Sequence, residues 1–317
     1  MPTRRAALAA ASSSLLTGQA RGLAAAANRG ESDEDELYIA AQEYPWKTWA
    51  DRAGEPWPPA DLGPTLDAVK AAGCDGWEPL VDDPAAVAGL LPLLAARGLG
   101  LRSIYMNATL HDPAVAEAET NRALAAVDAV RLHGCRVLTL NPTPIRWGGD
   151  ENKSDGQLRF QATALERLAR AVSARGLLLA YHVHDAELRA GAREFHHMLA
   201  STDPAAVRLC LDAHWVYRGC EHSAVAALDA VRLYGHRTAE LHLRNSVKNV
   251  WTESFGPGDL DHAAIRRELE AAGVKNFGKP GGPVLVLEQA IEAGTAVTMT
   301  PQQAHAKGRA YAAGVFG

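Results

Sequence analysis

The feature that most constrains this chain is a glycine recurring just past stretches of helical apolar periodicity, at Gly73, Gly98, Gly134, Gly176, Gly235 and Gly273. Glycine enters the positive-φ region without a Cβ clash, so it commonly marks a helix end. A short apolar run of strand type follows each one. The strands read Leu37–Gln42, Trp77–Val81, Leu99–Met106, Val137–Asn141, Leu177–Ala180, Val207–Asp212, Ala239–His242 and Val284–Glu288. Helices are expected over 61–73, 84–97, 113–133, 157–175, 192–200, 223–234 and 261–272, and from 301 onward. Strands that alternate with helices favour a parallel sheet. Eight such units with no linker between them indicate a single-domain α/β fold, a closed (β/α)8 TIM barrel over residues 37–317. A doubly wound open sheet is the alternative, but no glycine-rich phosphate loop follows the first strand.

Ahead of the barrel, Thr3-Arg4-Arg5-Ala6-Ala7-Leu8 leads into a mildly apolar Ala/Ser/Leu stretch with small residues near Ala24 to Ala27. Residues 1–27 therefore read as a twin-arginine export signal, although Ala7 stands where a bulky residue is usual. Residues 28–36 read as an acidic linker, and a periplasmic location is expected. The cytoplasm is the alternative if the N-terminus is no signal. No other stretch has the length of a membrane span, so no membrane contact is expected of the mature form. A net charge of −5 argues against a nucleic-acid partner, whose phosphates call for a basic surface. Cys74, Cys135, Cys210 and Cys220 show no CxxC spacing and read as free, mostly buried thiols.

The chemistry gathers around residues 177–188, LLLAYHVHDAEL. On a strand, alternate side chains share a face, which places His182 and His184 together at its C-terminal end. Catalytic groups of such barrels sit at those strand ends. Strand six ends in Asp212 with His214 nearby, strand seven carries His242 and Arg244 on one parity, and strand eight ends in Glu288. A lone histidine at a strand end is ordinarily a hydrogen-bonded core residue. Ligand-type groups on four successive strands would crowd one mouth with unpaired polar atoms, so they read jointly as a site. Two carboxylates and two imidazoles suit one divalent ion, Mn²⁺, Co²⁺, Mg²⁺ or Zn²⁺.

The stretches AYHVHDAEL, LCLDAHWVYRG, AELHLRNS, FGPGDLD and VLVLEQ resemble the xylose isomerase-like TIM-barrel superfamily, in its sugar phosphate isomerase/epimerase branch. The first half of the chain matches mainly in its strand–helix rhythm, with NPTPIRW the best local stretch. The resemblance implies a small-molecule carbohydrate substrate and a metal held by His182, Asp212, His242 and Glu288. It also marks a departure: ketose 3-epimerases carry Glu on strand five where this chain has His182. A symmetric pair of glutamates for epimerisation is therefore missing.

The expected chemistry is proton removal next to a sugar carbonyl, giving an enediolate that isomerises or epimerises. Glu288 or His184 would act as base, and Arg244 would grip a substrate oxygen. Elimination by a keto-sugar dehydratase or lyase uses the same parts, and an exported sugar-binding barrel is the non-enzymatic alternative. Gln42, Tyr44, Trp46 and Glu78, then Asn141, Arg146, Trp147, His214, Trp215, Tyr217 and Arg218, are expected to line the mouth. Glu187 is placed beside the strand-five histidines, to orient one of them or to contact substrate. His196 and His197 read as a solvated helix face, and His111, His133, His222, His236, His262 and His305 as structural or surface groups. A homo-oligomer is allowed by the sequence and not specified by it.

Overall fold

The computed structural model describes residues 36–317. The expected export signal, and all of the acidic linker except Glu36, lie outside the described residues. Eight parallel strands follow in chain order: β1 Ile39–Gln42, β2 Gly76–Glu78, β3 Ser103–Ala108, β4 Val137–Pro142, β5 Leu178–Tyr181, β6 Val207–Leu211, β7 Thr238–Leu243 and β8 Val284–Leu287. They hydrogen-bond in the order β2-β1-β8-β7-β6-β5-β4-β3. Bridges between Gly76 and Gly100 and between Leu80 and Tyr105 join β2 to β3 across the remaining gap. The result is a nearly closed TIM barrel with helices between its strands.

Helices α1 Glu43–Ala53, α2 Gly63–Ala71, α3 Val87–Ala96, α4 Ala116–Val130, α5 Asp155–Ser173, α6 Asp185–Ala200, α7 Ala213–Gly219, α8 Ala224–Tyr234, α9 His262–Ala271 and α10 Pro301–Phe316 complete the fold. Among the described residues no helix is long and apolar enough to cross a membrane. The four cysteines are free, and all but the half-buried Cys220 are buried.

The alternation of side chains along each strand divides the barrel into two environments. Outward positions such as Leu138, Leu179, Leu209, Leu241 and Leu285 belong to the large core shared with the helices. Burying each contributes roughly 1.5–3 kcal/mol. Inward positions hold a separate cluster of small residues that includes Ala40, Ala180, Cys210 and Val286. The outward leucines hold the wall together, which leaves the inward positions free to carry polar groups.

Two helices were not legible. α1 opens directly after β1, where Gln42 Oε1 accepts from the Tyr44 N–H at 3.0 Å. α7 opens directly after β6, where Asp212 Oδ1 accepts from the Trp215 N–H at 2.8 Å. Asp212 thus caps a helix and does not end a strand. α6 begins at Asp185, earlier than expected, and non-helical backbone at Arg189 to Ala192 splits it. That break is why only its second half shows helical periodicity.

Gly73, Gly98, Gly134, Gly176 and Gly273 all have positive φ, as helix-ending glycines should. Gly235 differs, with φ −55. It is small for packing, because a Cβ there would lie 3.2 Å from Leu269 and from Val231.

Gly176 has φ +86 and open space around a would-be Cβ, so Gly176→Ala tests backbone strain alone. A loss of about 1 kcal/mol is expected. Gly89, inside α3 and equally open, should gain about 0.5–1 kcal/mol as Gly89→Ala. Urea midpoints of the two variants check the pair, and a neutral Gly176→Ala would contradict the strain argument.

Candidate active site

The floor of the C-terminal mouth is built around His242, an inward residue of β7. Its Nδ1 lies 2.8 Å from Glu288 Oε2. On the other side its Nε2 lies 3.0 Å from Glu78 Oε2 and 3.2 Å from Glu240 Oε1. All four side chains are buried, and Glu240 also accepts from the Thr139 hydroxyl. Burial pushes the His242 pKa down, but the surrounding Cys210, Glu78 and Glu288 leave it raised well above the ordinary imidazole value. Burial and the neighbouring Glu240 push Glu78 up to about 8, while Glu240 is held below the usual carboxylate range by His242 and Thr139 against its burial. At neutral pH Glu78 is therefore largely a neutral acid beside an ionised Glu240.

Above this floor stands His182, one residue past β5. Its backbone N–H donates to the Leu140 carbonyl at 2.9 Å. The ring is wholly buried, and neither ring nitrogen meets a hydrogen-bond partner in the protein. Burial, then His242 and His184, holds its pKa well below the ordinary value, so the imidazole is neutral. A buried neutral imidazole with unpartnered nitrogens is a good metal ligand and an expensive core residue. Donor atoms of His182, Asp212, His242 and Glu288 all lie within 4.8 Å of one another, so this buried group can hold a metal ion.

Arg244 supplies the counter-charge in the same place. Its Nε lies 3.0 Å from Asp212 Oδ2 and its Nη2 2.5 Å from Glu288 Oε2. These are contacts of charge without hydrogen-bond geometry. Burial alone would raise Glu288, but Arg244 and His242 hold it well below the usual carboxylate range. Burial dominates at Asp212 and pushes it up to about 7. The guanidinium is fully buried, with its carbon 4.9 Å from the ring centres of both Trp215 and Trp251.

A cavity of about 330 Å³ opens over Glu288 and Arg244, walled by Tyr44, Trp147, Trp215 and Trp251. Gln42, Tyr105, Asn107, His184 and the exposed Asp185 complete its polar lining. His184, the residue before α6, stands between Trp147 at 5.3 Å and Trp215 at 5.1 Å, with the His182 ring at 4.9 Å. Burial lowers its pKa to about 4, so it faces the cavity as a neutral base.

Several residues expected at the mouth lie elsewhere. Glu78 is buried beneath His242 and does not line the cavity, because its carboxyl turns to the His242 Nε2. Asn141 is a brace: its Nδ2 donates to the His182 carbonyl at 3.0 Å and to Glu187 Oε1 at 3.2 Å. Glu187 positions His184 through the backbone, its Oε2 accepting from the His184 N–H at 2.7 Å, and touches neither imidazole ring by hydrogen bond. His214 faces the loop after β7, its Nε2 2.9 Å from Ser246 Oγ. Trp46 also turns away, stacking on His305 at 4.6 Å. Tyr217 likewise bonds to Asn249 outside the cavity lining.

Other residues were missed. Tyr105 packs edge-on against His182 at 5.4 Å, and the inward parity of Tyr105 and Asn107 on β3 is the signal that would have found them. Trp251 arrives on a two-strand hairpin, Ser246–Val247 with Val250–Trp251. Its signal is Lys248-Asn249, which take positive φ in the two-residue turn.

Two buried histidines outside this cluster set an acid limit on the fold. Burial lowers His262 and His305 to about 4, and each has a ring nitrogen against a backbone carbonyl. The folded pKa lies below the unfolded value of about 6.5. Their contribution is therefore complete above about pH 6.5 and is lost as pH falls toward about 4. In His305→Phe, which retains the stacking on Trp46, the slope of stability against pH across that window should fall by about one proton. Denaturant midpoints measured through the window check this; an unchanged slope would show that His305 does not titrate as described.

No curated protein matches this sequence. The family described as xylose isomerase-like TIM barrel matches residues 66–288. Among solved structures, an L-ribulose 3-epimerase superposes with a TM-score of 0.66 at 18% identity, over 89% of this chain and 95% of its own. A sugar phosphate isomerase/epimerase from Parabacteroides distasonis ATCC 8503 gives 0.64 at 15% identity, over 89% and 95%. A xylose isomerase-like TIM barrel protein from Mycobacterium smegmatis, in complex with magnesium, gives 0.61 at 14% identity, over 88% and 96%. At these identities the likeness is one of fold.

Proposed function

The chain belongs to the xylose isomerase-like TIM-barrel family, and from that membership we propose a divalent-metal-dependent isomerase or epimerase acting on a sugar or keto-sugar. The observation that carries the reading is His182, buried and neutral, with both ring nitrogens unpartnered among Asp212, His242 and Glu288. His182, Asp212, His242 and Glu288 would hold the ion, His242 through a ring nitrogen that gives up its proton on binding. Mg²⁺, Mn²⁺, Co²⁺ and Zn²⁺ all suit this donor set, and magnesium is the ion held by the Mycobacterium smegmatis relative. When bound, such an ion supplies Lewis acidity to a carbonyl and its neighbouring hydroxyl, easing loss of the proton between them.

The chain's own residues do the rest. Trp147, Trp215 and Trp251 offer flat apolar walls for a sugar ring, and Arg244 presents donors toward a substrate oxygen. His184 is the better base, because it faces the cavity neutral, whereas Glu288 is held strongly ionised and is correspondingly weak as a base. Glu288 is also the only buried carboxylate among the cavity's described lining residues. One buried carboxylate instead of two keeps elimination by a dehydratase or lyase as the second reading.

Mn²⁺ or Mg²⁺ added to metal-stripped protein should raise its melting temperature, and His182→Ala should abolish the rise. Incubation with keto-sugars in D₂O should place deuterium next to the carbonyl. His184→Gln should slow that exchange by about 10²–10⁴-fold while keeping the metal-induced stabilisation. Glu288→Gln should lose both. Full exchange in His184→Gln removes His184 as base, and absence of any metal effect sinks the reading. Mass analysis of the products separates rearrangement from loss of water.

We also read Arg4-Arg5 as the core of an export signal. Replacing both by lysine should retain the protein in the cytoplasm on cell fractionation; continued export would refute a twin-arginine route.

A further inference from the structure

The barrel has a second mouth, at the N-terminal ends of its strands. A cavity of about 310 Å³ opens there beside Val137, Leu178, Thr238 and Val284, the first residues of β4, β5, β7 and β8. Its charged lining is Arg136, Arg208 and Lys275, joined by His236, and no carboxylate lies among its described lining residues. This is a concentration of positive charge in a chain whose net charge is −5.

The arginines here are unlike most others on the molecule. Arg97, Arg122, Arg146, Arg170 and Arg175 each pair with an Asp or Glu. Arg136 has no such partner: its Nε and Nη2 are buried and meet no acceptor among the described residues. Arg208 is anchored along one edge, with Nε donating to the Arg237 carbonyl at 3.0 Å and Nη2 reaching the His236 carbonyl at 3.4 Å. Its Nη1 is left for another acceptor. Thr238 is 4% exposed and its hydroxyl is likewise buried without a partner.

Buried donors without acceptors are uncommon and call for an explanation. Here they converge on one cavity. The rim keeps that cavity open, because Gly273, Gly281 and Gly282 place no side chain in it. At Gly282 a Cβ would lie 1.8 Å from the Asn276 carbonyl oxygen, so the rim loop depends on glycine there.

We infer that this N-terminal mouth is an oxyanion site for a phosphate group, free or ester-linked. Arg136 and Arg208 supply planar forks that match phosphate oxygens, Thr238 supplies a hydroxyl donor, and Lys275 adds charge at the rim. The site lies at the opposite strand ends from the sugar cavity and does not depend on the function proposed for that cavity.

Isothermal titration of the full chain with inorganic phosphate, against chloride at equal ionic strength, tests it. One saturable site is expected, weakened about tenfold or more by Arg136→Gln and about threefold by Lys275→Ala, an exposed position that carries no folding role. Should Arg136→Gln fail to fold, Thr238→Val removes only the hydroxyl and is expected to weaken binding as well. Glu288→Gln, at the other mouth, should leave phosphate affinity unchanged. Ribose 5-phosphate binding more tightly than phosphate, with the same sensitivity to Arg136→Gln, supports the site and makes the ester its occupant. No saturable binding beyond chloride, or affinity unchanged in both Lys275→Ala and Thr238→Val, overturns the inference.

Discussion

The contact on which the rest of this structure depends is the double clasp on His242. Its two nitrogens face carboxylates on opposite sides, Glu288 toward the mouth and Glu78 with Glu240 toward the barrel interior. A buried carboxylate without a partner is costly, and a ring with a nitrogen on each side meets Glu288 with one and Glu240 with the other. The clasp draws on β2, β7 and β8, so it also ties three strands at one level. Val286 pairs with His242 in the β8–β7 register, so Glu288 lies two residues beyond that pair, at the height of the upper nitrogen. A slip of one residue in that register would turn Glu288 out of the barrel.

Arg244 extends the same logic upward. Asp212 and Glu288 share one guanidinium, yet their carboxyl groups are pushed in opposite directions from their ordinary values. The geometry explains the split. Glu288 has both Arg244 and the Nδ1 of His242 within hydrogen-bonding distance, whereas at Asp212 burial, with the neighbouring Glu288, outweighs the lowering by Arg244 and the Trp215 N–H. Contact with two tryptophan rings set nearly perpendicular to each other limits where the guanidinium can move. The electrostatics of the cluster therefore rest on how few positions are open to this one cation.

Much of this was legible in the chain, and what was not failed for identifiable reasons. Parity along strands locates His182, His242 and Glu288, because the period of two is a backbone property that tertiary packing preserves. Asp212 was found for the same reason although it lies past the strand. Parity cannot report depth. Glu78 has the inward parity but sits below the mouth, and Asn141 is spent bracing the end of β5. Nor can it report what a loop brings: His214 was placed in the cavity, but the hairpin after β7 takes its ring and supplies Trp251 to the wall. Helices α1 and α7 are capped by Gln42 and Asp212, whose side-chain types suit the site equally well and so hide the capping role in the sequence.

Strand β7 shows how these constraints combine in one sequence. Its outward residues Leu241 and Leu243 pack in the core shared with the helices. The wall is thereby secured by one face, and the other is free to change character at every step. Thr238 lines the cationic N-terminal mouth. Glu240 lies deep in the interior with Thr139 and Glu78, and His242 forms the floor of the buried group that could hold a metal ion. Arg244, just beyond the strand, lines the cavity above. Four alternate residues thus run from one end of the barrel to the other, and past Thr238 each has a polar or charged group of another strand within reach. A central strand carrying Glu, His and Arg would be destabilising in an open sheet packed on both faces by helices. Inside a closed barrel, opposing strands bring the counter-charges, and that is why this polarity and this fold require each other.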